Sequence, residues 1–206
     1  MLRTVLDPDR RRQRTQQAIF DAFAGLFAVE NYSDITVQQI IREANIGRST
    51  FYDHYQSKED LLDDLCVDMF HHVASPRPST LQDHGFEQRP GELMPALTHL
   101  LFHLREDNAR LRGLLTGTSS GLFLKKIKPY LHALVKDELR ADQHCYLCDE
   151  VPEDFLINHI VGCFTTAVDW WASHDFKESP ITLNSYLCTL LPAEITAGEH
   201  TSIHKK

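Results

Sequence analysis

Arg48, Ser49, Thr50, Tyr52 and His54 crowd into the stretch TVQQIIREANIGRSTFYDHY, Thr36 to Tyr55. Arg, Ser and Thr side chains can reach base edges in a DNA groove, and Tyr and His can hydrogen-bond phosphate oxygens. That chemistry recognises a polymer and breaks no bond. Elsewhere the chain carries no nucleophile elbow, phosphate loop or dinucleotide fingerprint, so no enzyme and no cofactor are expected. Two further groupings could hold a metal. His99 and His103 stand at i and i+4 of one helical pattern, and Cys145 and Cys148 form a C-x-x-C. Zinc needs two more ligands in either case, and no second pair follows closely. Flank or cavity histidines and ordinary loop cysteines are the preferred readings, so no metal is expected.

The recognition residues need two short helices. Val37, Ile40, Ile41 and Ala44 recur at helical spacing, which predicts a helix from Thr36 to Ala44 with Thr36 as N-cap. Asn45 tolerates the left-handed backbone of a tight turn, and Ile46 turns inward. Gly47 then caps a second helix, Arg48 to about Tyr55, whose outward residues are Arg48, Ser49, Thr50, Tyr52, Asp53 and His54. Two helices joined this tightly make a helix-turn-helix. A first helix from Asp9 to about Glu30 packs Ile19, Ala22, Phe23, Leu26 and Phe27 on one face, and Arg10, Arg11, Arg12 and Arg14 sit at its start. Cations there oppose the helix dipole, so DNA backbone is the favoured reason for them.

The run ITVQQIIREANIGRSTFYDHYQSKEDLL closely resembles the DNA-binding signature of TetR-type transcriptional regulators, ungapped over roughly the first third of the chain. Thr36, Ile40, Ala44, Ile46, Thr50, Phe51, Tyr52, His54, Tyr55, Ser57, Lys58, Leu61 and Leu62 carry the match. The family usually has Gly where Asn31 and Asn45 stand and Ser where Gly47 stands; both Asn positions keep access to positive φ. Asp53 adds a negative charge to the recognition helix. The resemblance implies sequence-specific binding of double-stranded DNA at a palindromic operator. Arg48, Ser49 and Thr50 are expected at base edges, with Thr36, Gln38, Tyr52, His54 and Lys58 on the backbone and Val37 beside them. In the family, the Lys58 position contacts phosphate.

The formal charge is −8, yet residues 1–58 carry eight basic and seven acidic side chains, +1, and the remainder carries −9. Basicity is local to the candidate DNA module. No apolar run approaches a membrane span and the N-terminus does not read as a secretory signal. Five scattered cysteines suit reduced thiols, so a cytoplasmic chain with no membrane partner is expected. The fold class is all-α. A helix-turn-helix domain is expected over 9–56 and a helical ligand-sensing and dimerisation domain over 57–195, with 57–74 as connecting helix and 196–206 as a frayed tail. Ser57 starts the connecting helix, with Asp60 three residues on. Residues 75–92 are polar and rich in Pro, an inter-helix loop. Helical patterns resume at Leu93–Glu106, Asn108–Leu115, Leu122–Leu139, Pro152–His174 and Pro180–Ile195.

The 152–174 pattern is apolar nearly all round and must be buried on both sides. A partner subunit is the simplest second side, and the resemblance implies a homodimer through the last two helices. The expected interface is Phe155, Ile160, Phe164, Val168 and Trp171 with Leu183, Leu187 and Leu190. Aromatics at helical spacing are more often plain core, but the resemblance implies a pocket for a small-molecule effector. Met69, Phe70, Phe102, Phe123, His159 and Trp170 are its expected lining, and the effector would be mostly apolar. The expected function is a repressor released by that effector. Two alternatives remain open: a TetR-like protein acting through a protein partner as a co-activator, and an architectural DNA-binding protein.

Overall fold

A computed structural model describes residues 8–74, 95–106, 108–141 and 151–190. Among these, all regular structure is helical. In chain order the helices are α1 (Pro8–Val29), α2 (Val37–Glu43), α3 (Arg48–Tyr52), α4 (Lys58–Ala74), α5 (Pro95–Glu106), α6 (Asn108–Thr116), α7 (Ser120–Ala141), α8 (Glu153–Ser173) and α9 (Pro180–Leu190). The expected 75–92 loop, the Cys145/Cys148 pair and the 196–206 tail lie outside the described residues.

The chain divides into two compact units. The first joins residues up to 69 with 107–126, so α6 and the start of α7 belong with the N-terminal helices; the second takes 70–106 and everything after 126. The first unit's core is Ile19, Phe20, Phe23, Phe27, Ile35, Ile40, Phe51, Leu61, Leu62 and Leu65, all buried. α6 fits against α1 because Gly113 and Gly117 carry no side chain. A Cβ on Gly113 would come within 2.8 Å of the Ala28 Cβ, and one on Gly117 within 2.6 Å of the Phe27 carbonyl oxygen. Polar ties reinforce the contact: the Thr118 hydroxyl donates to the Glu30 carbonyl at 3.0 Å, and the Tyr32 N–H donates to the Ser119 hydroxyl at 2.8 Å.

In the second unit α9 packs on α5 and α8. The α8–α9 corner is tight. Asp175 and Phe176 both take left-handed φ, 57° and 53°, and the Phe176 ring lies edge-on to Trp171 at 5.0 Å. Trp171 is fully buried and its indole N–H donates to the Glu178 carbonyl at 3.0 Å. A bulky residue at positive φ is uncommon; here burial of its ring offsets the backbone cost. No helix among the described residues is long and apolar enough to cross a membrane.

Candidate nucleic-acid interface

Thr36 caps α2 as its sequence position predicts. The Gln39 N–H donates to the Thr36 hydroxyl, and the Gln39 side-chain oxygen accepts the Thr36 backbone N–H at 2.8 Å, a closed capping box. The Gln39 amide then donates to the Glu30 carboxylate at 2.9 Å, tying α2 to the end of α1. The Gln39 half of the box goes beyond the N-cap read from sequence; the T-x-x-Q spacing is the local signal that carries it. Asn45 takes φ 52°, the left-handed turn expected of it. Asn31 is not at positive φ; its carbonyl instead accepts the N–H groups of Asp34 and Ile35. Gly47 opens α3 in an extended conformation with no side-chain cap.

The turn aims the second helix outward. Phe51 is fully buried, which fixes the rotation of α3. Arg48, Ser49 and Tyr52 are then exposed and Thr50 and His54 half-exposed. The Arg48 guanidinium lies over the Tyr52 ring, 5.6 Å from its centroid, a cation–π contact that restricts both side chains. Thr36 and Gln38 are exposed and Val37 half-buried. Burial, and next the nearby Arg12 guanidinium, hold the His54 imidazole below its usual value of 6.5. Arg12 of the α1 basic cluster thus comes close to the recognition helix.

Two polar nodes hold α4 to this head. The Asp64 carboxylate accepts from the Tyr55 hydroxyl at 2.8 Å and from the Gln16 amide at 2.9 Å. Burial, reinforced by that hydrogen bond, raises the Tyr55 phenol. The second node is built on Lys58. Lys58, expected at phosphate, directs its ammonium at the carbonyls of Tyr32, Ser33 and Ile35, at 2.6, 3.3 and 2.8 Å, and lies 4.4 Å from the Tyr32 ring centroid. An ammonium has three donors, and all three are used. Tyr32 also donates to Glu59 at 3.0 Å, and burial first, then that carboxylate, raises its phenol. Asp60 completes the start of α4: its N–H donates to the Ser57 hydroxyl while its carboxylate accepts the Gln56 N–H. Lys126 pairs with Asp63 at 2.6 Å.

The second unit separates the two apolar stripes of α8. Ile160, Phe164, Val168 and Trp171, expected at a subunit interface, are buried within the chain, none more than 2% exposed. The periodicity was right but the stripe was the core stripe. The outward stripe is smaller and half polar: Asn158, His159, Gly162, Cys163, Thr166, Ala167 and Trp170 line an open apolar groove of about 750 Å³ with Leu183, Tyr186, Leu187 and Leu190 of α9. Phe155 is 64% and Leu190 81% exposed. His159 and Trp170, expected in a pocket, therefore sit on this open face. The other pocket candidates do not join them: Phe123 is buried in the first unit, Phe70 is buried and stacked on Tyr130 at 5.3 Å, and Phe102 is half-buried. The Met69 side chain lies outside the described ones. His99 and His103 are 3% and 6% exposed with their Nε2 atoms 2.9 Å apart, a buried hydrogen-bonded pair. No group of three or more metal-ligating side chains occurs among the described residues.

Comparison with known proteins agrees with this geometry. Residues 19–65 match the family described as bacterial regulatory proteins, tetR family, and residues 91–192 match a transcriptional regulator C-terminal region. A solved TetR transcriptional regulator from Streptococcus agalactiae 2603V is 35% identical, covering 88% of this chain and 96% of its own, with a TM-score of 0.63. YxbF of Bacillus subtilis (strain 168), an uncharacterized HTH-type transcriptional regulator, is 36% identical over 100 residues, 45% of this chain; the match spans only 26% of YxbF. YdgC of the same organism, also an uncharacterized HTH-type regulator, is 26% identical over 184 residues, 86% of this chain and 90% of YdgC.

Proposed function

Because the chain belongs to the tetR family of bacterial regulatory proteins, DNA-binding transcriptional regulators and not enzymes, we propose that it is a cytoplasmic repressor released from its operator by a small, mostly apolar effector. It acts as a homodimer on a palindrome. The observation that carries the DNA part is the outward stripe of α3. Arg48, Ser49 and Thr50 read base edges, while Thr36, Gln38, Tyr52 and His54 hold the backbone with Val37 against it. The Arg48–Tyr52 contact supports this division, since it keeps both side chains together on the exposed face before any DNA arrives.

The groove between α8 and α9 supports the dimer. It is apolar, open and floored by Gly162, where a Cβ would meet nothing within 4 Å. A two-fold contact needs a surface that is its own complement, and small residues let two helices approach closely. Phe155, Leu183, Leu187 and Leu190 border or extend that face.

Effector and operator favour different conformations, so each weakens the other's binding by the same factor, typically about 1–3 kcal/mol. The test is operator affinity with and without an effector found by thermal-shift screening. Reciprocal weakening supports the repressor reading. A bound effector that leaves operator affinity unchanged removes it. Asp53, exposed at the end of α3, is the feature that favours a protein partner over DNA; failure of the dimer to select any sequence from a random duplex pool would support that second reading.

A further inference from the structure

A hollow of about 570 Å³ opens on the flank of α2, lined by Thr36, Gln38, Gln39, Ile41, Arg42, Asn45 and Ile46. Its donors divide into two groups. Thr36 and Gln39 are committed to their capping box and to Glu30. Gln38, Arg42 and Asn45 are exposed and follow one another at i, i+4 and i+7, so their side chains leave one face of the helix and its turn. Two side-chain amides offer N–H donors beside their acceptor oxygens, the guanidinium only donors, and Arg42 is the one ionised residue of the lining. Glu43, its neighbour in sequence, is not part of the lining.

We propose that the Gln38–Arg42–Asn45 face is a second DNA-backbone site of this module, with the Arg42 guanidinium gripping one phosphate through two parallel N–H groups and the Gln38 and Asn45 amides donating beside it. Three considerations lead there. The planar fork of Arg matches a phosphate better than a base edge seen from outside the groove. Gln38 is already assigned to the backbone, so Arg42, one turn along the same face, is next to reach the same strand. At the start of α4 the Lys58 ammonium sits on three carbonyls of the 32–35 turn. Arg42 supplies a positive charge that the head otherwise lacks between the α1 cluster and Arg48.

The site rests on the DNA-binding reading of the head, and the experiment separates the two. The probe is a fluorescein-labelled duplex selected by the wild-type protein from a random pool, alongside a scrambled duplex of equal length. Affinity is measured across a salt series for wild type, Arg42→Gln and Arg42→Lys, each first shown to melt as wild type does. Each phosphate contact contributes a slope of about −0.9 in log K against log salt. Arg42→Gln is expected to flatten the slope by about 0.9 per protomer and to weaken both duplexes by a similar factor, and Arg42→Lys is expected to restore most of the slope. An unchanged slope in folded Arg42→Gln overturns the site while leaving the module's reading intact. A changed preference at one base pair, with the slope kept, makes Arg42 a base reader and overturns the phosphate assignment. A wild-type protein that selects no duplex from the pool overturns both readings.

Discussion

Lys58 and His54 are residues whose chemistry the sequence names but whose environment decides. Lys58 faces inward to the 32–35 turn, so Lys58→Ala leaves part-buried carbonyls without their charged donor. The expected loss is about 1–3 kcal/mol of stability, read from the urea midpoint at constant slope. DNA affinity falls with it, but the salt slope stays at the wild-type value, because no phosphate contact is removed. A slope lowered by about one unit would return Lys58 to the backbone. His54 gives the complementary case. Its folded-state value lies below the ordinary 6.5, so the unfolded chain binds protons more readily, and its contribution to stability is present at neutral pH and lost as pH falls through the ordinary range. A phosphate beside the ring favours the protonated form and pulls the other way. Operator binding therefore takes up protons, and affinity rises on acidification from neutral pH. Fluorescence anisotropy across that range in wild type and His54→Gln checks it; equal pH profiles would take His54 off the backbone. Neither environment is legible in sequence: the Tyr32 carbonyl and Arg12 reach their partners only after the chain has turned back.

Gly113 and Gly117 belong to the scale of elements. α6 approaches α1 at a distance that only hydrogen at Cα allows, so Gly113→Ala drives a methyl into Ala28 and the Ala24 carbonyl. Overpacking of this kind costs about 1–3 kcal/mol. Gly117→Ala meets backbone atoms of Phe27 and Ala28 that cannot yield, and its cost is at least as large. Both are measured by the urea midpoint. A loss smaller for Gly117→Ala than for Gly113→Ala would mean that α6 slides along α1 instead of being pinned. The sequence showed neither glycine's purpose, because closeness between elements far apart in the chain leaves no local periodicity. What it did show were the elements themselves. The cap at Thr36, the left-handed Asn45 and the start of α4 at Ser57 are local chemistry, settled within a few residues. α8 lies between these extremes. Its 3.6-residue period gave the helix, but with Ile160, Phe164, Val168 and Trp171 on one stripe and Gly162, Cys163, Thr166 and Ala167 on another, size pointed to the stripe that the chain buries within itself. Leu156, Ile160, Phe164, Val168 and Trp171 fill the chain's own core, and the groove stripe sets Gly162, Cys163, Thr166 and Ala167 between His159 and Trp170.

At the scale of the whole molecule, that small-residue stripe makes the proposed dimer testable by a single substitution. Gly162 sits mid-helix on the groove, and a Cβ there meets no atom within 4 Å. Gly162→Arg therefore introduces no internal clash, and it replaces the poorest non-proline helix former with a good one. A single chain tolerates it. A two-fold contact does not, because each copy brings a charged, bulky side chain into the same apolar groove, and a desolvated unpaired charge costs several kcal/mol. The expected result is a folded monomer by light scattering, with helical circular dichroism unchanged. Two recognition helices bound to successive half-sites must lie about 34–36 Å apart or a multiple of that, a spacing only a dimer can fix. The same variant should thus lose most of its affinity for a full palindrome while keeping wild-type affinity for an isolated half-site, since α3 and its supports are untouched. A Gly162→Arg protein that remains a dimer of wild-type operator affinity would move the subunit contact elsewhere on the molecule and leave the α8–α9 groove to some other partner.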